Sequence, residues 1–407
     1  MQPGSSAKTN GYFPGEAFRA FLKLGLTSFG GPIAHLGYFR DELVLRRRWL
    51  SDAAYADLVA LCQFLPGPAS SQVGFALGYL RGGPAGAILA WAAFTLPSVA
   101  LLLAFAFAAE SFGGAMGQHA IHGLKLVAVA IVAQAVWGMA HSLAPDRQRA
   151  TIALAAVLIV TFLPTAFGQV AAIAAGAILG TFWCRMLNNG SDSQFPVPIS
   201  RRLGLLLIAL FFVLLIGLPV MVAFWPIQTL ALFEAFYRAG ALVFGGGHVV
   251  LPLLEARVVE SGWVSADAFL AGYGATQAVP GPLFTFAAYL GAIAQPGPEG
   301  LFGAGVALLG IFLPGMLLLI GMLPFWEALR RSTFARAGMA GTNAAVVGIL
   351  GSALYQPIWT SAVLSAADFA VAIFAFILLT AWKAPPWLVV VATVAGNISL
   401  GLLAPPG

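Results

Sequence analysis

Two sets of Gly and Pro residues recur along the chain in the same order. Phe29-Gly30-Gly31-Pro32 is followed by Gln63-Phe64-Leu65-Pro66-Gly67-Pro68, and later Phe244-Gly245-Gly246-Gly247 is followed by Gln277-Ala278-Val279-Pro280-Gly281-Pro282. Gly and Pro weaken or break helices, and inside a bilayer non-helical backbone survives only where protein buries it or where it lines a cavity. A helix that restarts after a break presents free N–H groups and the positive end of its dipole, which suits an oxyanion. The glycines permit close approach, and Pro32 can occupy the first turn of a new helix, where its missing N–H costs little. The Pro-Gly-Pro breaks can aim further helix starts at the same cavity. Any one break is also explained as a packing kink, since Gly and Pro are common in transmembrane helices. Breaks repeated at corresponding places in two halves point instead to a substrate site.

Ionisable and amide side chains within apolar stretches form a second set, because a charge in hydrocarbon is costly unless paired or hydrated. Arg19 and Lys23 precede the first break at helical spacing, and Glu234 and Arg238 occupy the matching positions before its second copy. The first pair reads as anion attractors or as snorkelling side chains, the second as a gate or an ion pair. Lys125, between Leu124 and Leu126, is an anion ligand or a helix-end anchor. Gln63 and Gln277 can donate to an oxyanion or satisfy a carbonyl freed by the break. Arg40, Glu42, Glu255 and Arg257, just beyond the first breaks, read as gate salt bridges or as a solvated loop face. Proton coupling would need a titrating group, for which Asp57, Glu234, Asp368 and His35 are candidates and none is assigned. Asn343 reads as a helix-to-helix hydrogen bond.

The elements that must position these residues are membrane helices. Of the 407 residues 60% are hydrophobic and 9% charged, against about 25% charged in soluble domains. Mean hydropathy is +0.91. Apolar runs able to span about 30 Å recur throughout, which implies an all-α polytopic bundle with Gly/Pro-broken or re-entrant helices. The net charge of +5 comes from basic residues scattered among short loops, so nucleic acid is not an expected partner; the lipid bilayer is. Residues 1–15 read as a polar cytoplasmic tail, 16–187 as a first repeat, 188–203 as a polar linker, 204–225 as an unpaired helix and 226–407 as a second repeat. Each repeat holds two interrupted motif segments, then four apolar ones: 84–109, 122–143, 150–163 and 166–185 in the first, 299–326, 333–355, 360–381 and 386–403 in the second.

An unpaired crossing between the repeats turns the second upside down, and the loop charges agree. After the first motif, one repeat carries Arg40, Arg46, Arg47 and Arg48, whereas the other carries Glu255, Arg257 and Glu260. In the later loop the bias swaps, from Glu110, His119 and His122 to Arg330, Arg331 and Arg336. By the positive-inside rule corresponding loops lie on opposite sides, with a cytoplasmic N-terminus and an external C-terminus. The parity requires each motif pair to make an even number of crossings.

Several chemistries lack their residues. There is no H-E-x-x-H, no carboxylate pair at catalytic spacing and no Cys-His set, so no catalytic residue, metal site or cofactor is expected. Cys62 and Cys184 have no metal-ligand spacing and no disulfide framework is expected. No G-x-x-x-x-G-K-[ST] loop is present, so transport would be secondary or channel-like. The small residues from Gly338 to Gly348 allow close helix approach, either in a homodimer or within one chain.

The chain resembles the chromate ion transporter family in its long, two-half form. The resemblance rests on Phe29 to Pro32 with the stretch from His35 to Trp49, on Leu58 to Gly78 with its Pro-Gly-Pro, on His122 to Trp137, and on the second copies at Phe244 to Gly247 and Gln277 to Pro282. It implies chromate efflux across the bacterial inner membrane, chromate resistance, and two homologous halves of opposite orientation without ATPase activity. Sulfate, of like charge and shape, is the competing substrate. The second copy departs from the first: Gly247 replaces Pro32, Val250 replaces His35 and the Arg triplet is missing, so the halves are not expected to contribute equally.

Overall fold

The computed structural model describes residues 13–109, 114–184, 199–244 and 246–403. Gly245, the tail through residue 12 and linker residues 188–198 lie outside the described residues, which contain helices and no strand. Among the described residues five helices are long and apolar enough to cross a membrane, and the bundle is an all-α multi-pass one.

The first half opens with α1 (Pro14–Thr27), which stops at Ser28 before the left-handed Gly30, and α2 (Gly31–Phe39), which runs on as a π-helical turn, Arg40–Arg46. Then α3 (Asp52–Phe64) enters the Pro-Gly-Pro break and α4 (Ala69–Ala109) leaves it, bending at Gly82 and Gly83 into two arms. Next come α5 (Gly114–Leu143), α6 (Arg147–Phe162) and α7 (Ala166–Trp183). The unpaired α8 (Arg201–Phe224) turns Leu206, Val213, Ile216 and Phe224 outward, as a lipid-facing helix must.

The second half repeats the order. Here α9 (Gln228–Leu242) ends at the break, a 3-10 turn (Gly247–Val249) opens α10 (Val250–Val258), and α11 (Ala266–Thr276) enters the second Pro-Gly-Pro. Another 3-10 turn (Leu283–Thr285) leads into α12 (Phe286–Ile293), followed by α13 (Gly300–Met322), α14 (Trp326–Arg331) and α15 (Thr333–Ala353). The short α16 (Thr360–Ala362), α17 (Ala366–Thr380) and α18 (Pro386–Leu403) complete it.

The motif segments are hairpins that return to their starting side. Glu16, near the start of α1, meets Arg47 (3.8 Å) beyond α2 and Arg81 (2.6 Å) at the end of the first α4 arm. Trp49 Nε1 also donates to Glu16, and Phe13 N donates to Arg81 O. These four contacts gather both hairpin ends of the first half into one base. In the second half Gln295 N donates to Trp263 O (2.9 Å), and Gly297 lies against Gln228. The second α4 arm leaves the first base and reaches α5, whose Lys125 pairs with Asp267 of the second base at 2.8 Å. The bases therefore stand at opposite ends of that arm, and the hairpin tips point towards each other.

Around the hairpins the halves exchange helices. The first half's α5 packs against α17 and α18, and the second half's α15 packs against α6 and α7. The small residues of α15 serve this contact inside the chain. Gly341 fits against Gly176 and Gly180, and Gly348 against Ala153.

Candidate functional site

The tips of the hairpins meet in the middle of the molecule through reciprocal hydrogen bonds. Gly67 N donates to Val243 O and Gly281 N donates to Ser28 O, each at 2.8 Å. Val243 and Ser28 hold the same place, one residue before the Phe-Gly-Gly motif, so each Pro-Gly-Pro break is tied to the other half's first break. Gly67 (φ +117°) sits on Gly315, and Gly281 (φ +99°) sits on Ser98, each beside the helix proline of the opposite half, Pro314 or Pro97. Pro32 and Gly247, also matching positions, touch: a Cβ on Gly247 would lie 3.2 Å from Pro32 Cγ. A two-fold relation thus brings together Phe29, Gly30, Gly31, Pro32, Pro66, Gly67, Pro68, Gly246, Gly247, Pro280, Gly281 and Pro282 as the sequence reading grouped them, Gly245 lying outside the described residues.

Side-chain caps are common at helices that start in loops, although α1, α9 and α13 start there without one. Ser51, Asp146, Thr165, Ser200, Ser265, Ser332 and Ser365 each accept a backbone N–H and cap α3, α6, α7, α8, α11, α15 and α17. By contrast, α2 and the 3-10 turns that open α10 and α12 have no side-chain cap. Their first N–H groups keep the capacity to receive an anion.

The glutamines placed before each Pro-Gly-Pro do not serve its carbonyls. Gln63 is exposed on a cavity of about 360 Å³ that Arg40, Asp52 and Tyr55 also line, and Gln277 donates to Thr276 Oγ1 (3.3 Å). The freed carbonyls are capped from α4. Gln72 Nε2 donates to Pro66 O (3.0 Å) and Gly315 O (2.9 Å), and Ser98 Oγ donates to Pro280 O. Neither Gln72 nor Ser98 stood out in the sequence, because nothing in their spacing marks them as partners of a break so distant along the chain. The local amphipathic pattern of α4 gives no hint either.

The ion pairs include the Glu234–Arg238 pair read in the sequence and add contacts across the hairpins. Lys23 on α1 meets Glu42 beyond α2 at 2.8 Å, and Glu42 also takes Arg46 and Arg47. In the second half Glu234 on α9 meets Arg238 (2.7 Å) and Arg257 beyond α10 (3.7 Å). Arg40 pairs with Asp52 instead of Glu42, Arg19 is exposed near the first base, and none of the ion pairs among the described residues includes Glu255. Asp57 accepts from Trp326 and Arg330, joining α3 to α14.

A larger cavity of about 1090 Å³ opens at the second base. Lys125 lines it with Asp267, His119, Trp263 and Asn397, and His122 lines it while bonded to Asp368 (2.7 Å). Each pair joins the first half's α5 to the second half. The smaller cavity beside Gln63 lies on the first half's side.

The sequence matches the family model described as Chromate transporter over residues 15–181 and again over 230–397, once per half. It is 30% identical over 354 residues to a chromate transport protein of Pseudomonas aeruginosa, covering 83% of this chain and 79% of that one. To a probable chromate transport protein of Synechococcus elongatus it is 28% identical over 395 residues, 93% of each chain. A chromate transport protein of Cupriavidus metallidurans is 29% identical over 344 residues, 82% of this chain and 80% of its own. No solved structure matches the chain.

Proposed function

Because the chain belongs to the chromate transporter family, we propose that it exports chromate from the cytoplasm as a secondary transporter of the bacterial inner membrane and so confers chromate resistance. The observation that carries this reading is the reciprocal meeting of the four breaks, Gly67 with Val243 and Gly281 with Ser28. Chromate is a tetrahedral dianion, and the meeting point brings helix N-termini of both halves together. The membrane potential is a sufficient driving force, since a dianion leaving a negative-inside cell gains about 2.3 kcal/mol per charge per 100 mV. The basic residues at the first base and around α14 support a cytoplasmic first base, with the large cavity and the C-terminus outside. In this orientation chromate passes from the Gln63 recess through the tips to the Lys125 recess. There Lys125 exchanges its Asp267 partner for the anion as it leaves.

The test is chromate flux in proteoliposomes of the purified protein, with a set membrane potential, no ATP, and sulfate or phosphate as competitors. Saturable flux that follows the potential is expected, and the order of competition names the preferred ion. Folded protein that moves no oxyanion would overturn the reading.

A further inference from the structure

The two-fold relation at the tips holds for the backbone and fails for the buried side chains. Ser28, His35, Ser70, Ser71, Gln72, Thr95 and Ser98 are all buried, and all belong to the first half. The matching positions of the second half carry Val243, Val250, Phe284, Thr285, Phe286, Phe312 and Gly315. Thr285 alone keeps a polar group, and its hydroxyl donates to Pro282 O at 2.8 Å.

Structural duties account for part of the polar set. Gln72 and Ser98 cap the carbonyls of the two Pro-Gly-Pro breaks. The rest have no such duty. Ser28 Oγ, His35 Nε2, Ser71 Oγ and Thr95 Oγ1 have no hydrogen-bond partner, although each is enclosed by protein. Buried polar atoms are ordinarily paired, and unpaired ones at matching positions of a single half require an explanation. Packing does not supply it, since the second half fills three of the four places with Val243, Val250 and Phe312.

Two of these residues, His35 and Ser70, meet beside the backbone of Ser28. His35 is on α2, in the second turn after the uncapped start at Gly31. Its Nδ1 faces Ser70 Oγ, in the first turn of α4, at 3.4 Å, while Nε2 stays unpaired. Ser28 ends α1 one step before the break, and its carbonyl holds Gly281 of the opposing tip. The imidazole edge is fixed by the Phe94 ring, with centroids 5.3 Å apart and planes at 90°. A rigidly held imidazole and the Ser70 hydroxyl thus stand between the N-terminal turns of α2 and α4.

We propose that His35 and Ser70 are side-chain hydrogen-bond ligands of a tetrahedral oxyanion at the tips, a pair without a counterpart in the second half, whose matching positions are Val250 and Phe284. This rests on the transport reading above and adds an asymmetry to it. Both imidazole and hydroxyl are neutral donors, and neutral donors hold a dianion without the deep trap that a buried Arg or Lys would make.

The experiment compares chromate flux and chromate-induced thermal stabilisation for wild type, His35→Ala, His35→Gln, Ser70→Ala and the mirror changes Val250→Ala and Phe284→Leu. The first-half changes are expected to raise the half-saturating chromate concentration about tenfold, the size expected for losing a hydrogen bond to a charged group. They also remove most of the ligand-induced shift in melting temperature, with His35→Gln partly retaining it through its amide N–H. Mirror changes lower the melting temperature without moving the half-saturating concentration. If His35→Ala does not fold, His35→Gln and Ser70→Ala carry the comparison. An unchanged half-saturating concentration and thermal shift in the first-half variants, or equal losses in the mirror variants, would overturn the asymmetry while leaving transport intact. Absence of both flux and thermal shift in wild type, with any oxyanion, would overturn the transport reading together with it.

Discussion

Gly67 and Gly281 show how a single missing Cβ allows the two breaks to meet. Both have left-handed backbone, and a methyl group on either would press on backbone or side chain of the facing helix, Gly315 in one case and Ser98 with the Phe94 carbonyl in the other. Left-handed backbone costs a non-Gly residue about 1–2 kcal/mol, and overpacking adds about 1–3 kcal/mol. Gly67→Ala and Gly281→Ala should each lower the melting temperature of the purified protein by the equivalent of about 2–4 kcal/mol. Gly351→Ala, in α15 with nothing within 4 Å of the added carbon, should be neutral or gain about 0.5–1 kcal/mol. Equal behaviour at the three positions would show that the tips do not need their close approach. At this scale the sequence was informative about backbone and poor about partners. Repetition marked Gly67 and Gly281, but the caps of their breaks, Gln72 and Ser98, come from a helix whose contacts depend on the tertiary fold. Ser28, Ser70 and Thr95 were silent for a simpler reason, since a Ser or Thr in a membrane helix usually bonds within its own helix.

Among the elements, the paired hairpins carry matching clamps with the charges interchanged. Lys23 and Glu42 close the α1–α2 hairpin where Arg238, Glu234 and Arg257 close α9–α10. The sequence located these charges and the Glu234–Arg238 pair, four residues apart on one helix face, but not the pairs of Glu42 and Arg257, whose partners lie across the hairpin. Removing Glu234 leaves two guanidinium groups close together without their counter-charge, and breaking a buried pair in this way costs about 3–5 kcal/mol. The arginines are partly exposed, which lowers the expected loss for Glu234→Gln to about 2–3 kcal/mol. Adding Arg257→Gln should recover part of that loss, and a double-mutant cycle on thermal unfolding measures the coupling. Independent losses would mean that the clamp is not a unit. A loop-borne pair responds to pH. Asp146 caps α6 by accepting from Arg149 N (2.9 Å) and Arg149 Nε (2.7 Å), and these bonds hold its carboxyl below the usual carboxylate range. A lowered folded pKa gives stability that is present above the unfolded value and lost as pH falls through the folded one. The melting-temperature advantage of wild type over Asp146→Asn should therefore shrink in acid and be constant from neutral pH upward.

At the scale of the molecule, opposed bases and meeting tips make an hourglass whose ends differ in charge. The loop-charge swap between Arg46, Arg47 and Arg48 and Glu255 and Glu260 was enough to anticipate opposed halves, and the even number of crossings agrees with hairpins that return to their bases. The exchange of α5 and α15 between halves was not legible, since no local pattern tells a largely apolar helix which neighbour it will meet. That exchange makes the ends testable. Gln118 is exposed in the large cavity at the start of α5, Arg331 is exposed at the end of α14, and the native thiols of Cys62 and Cys184 are buried. A membrane-impermeant maleimide applied to intact spheroplasts should label Gln118→Cys and spare Arg331→Cys, and inside-out vesicles should reverse the result. The opposite pattern would turn the molecule over in the membrane and make the large cavity the cytoplasmic entrance, with the basic ends outside against the positive-inside bias. Labelling of both positions from one side would deny that the bases are opposed. It would then remove the reason for placing an ion between them, because a path that starts and ends on one face cannot carry chromate across.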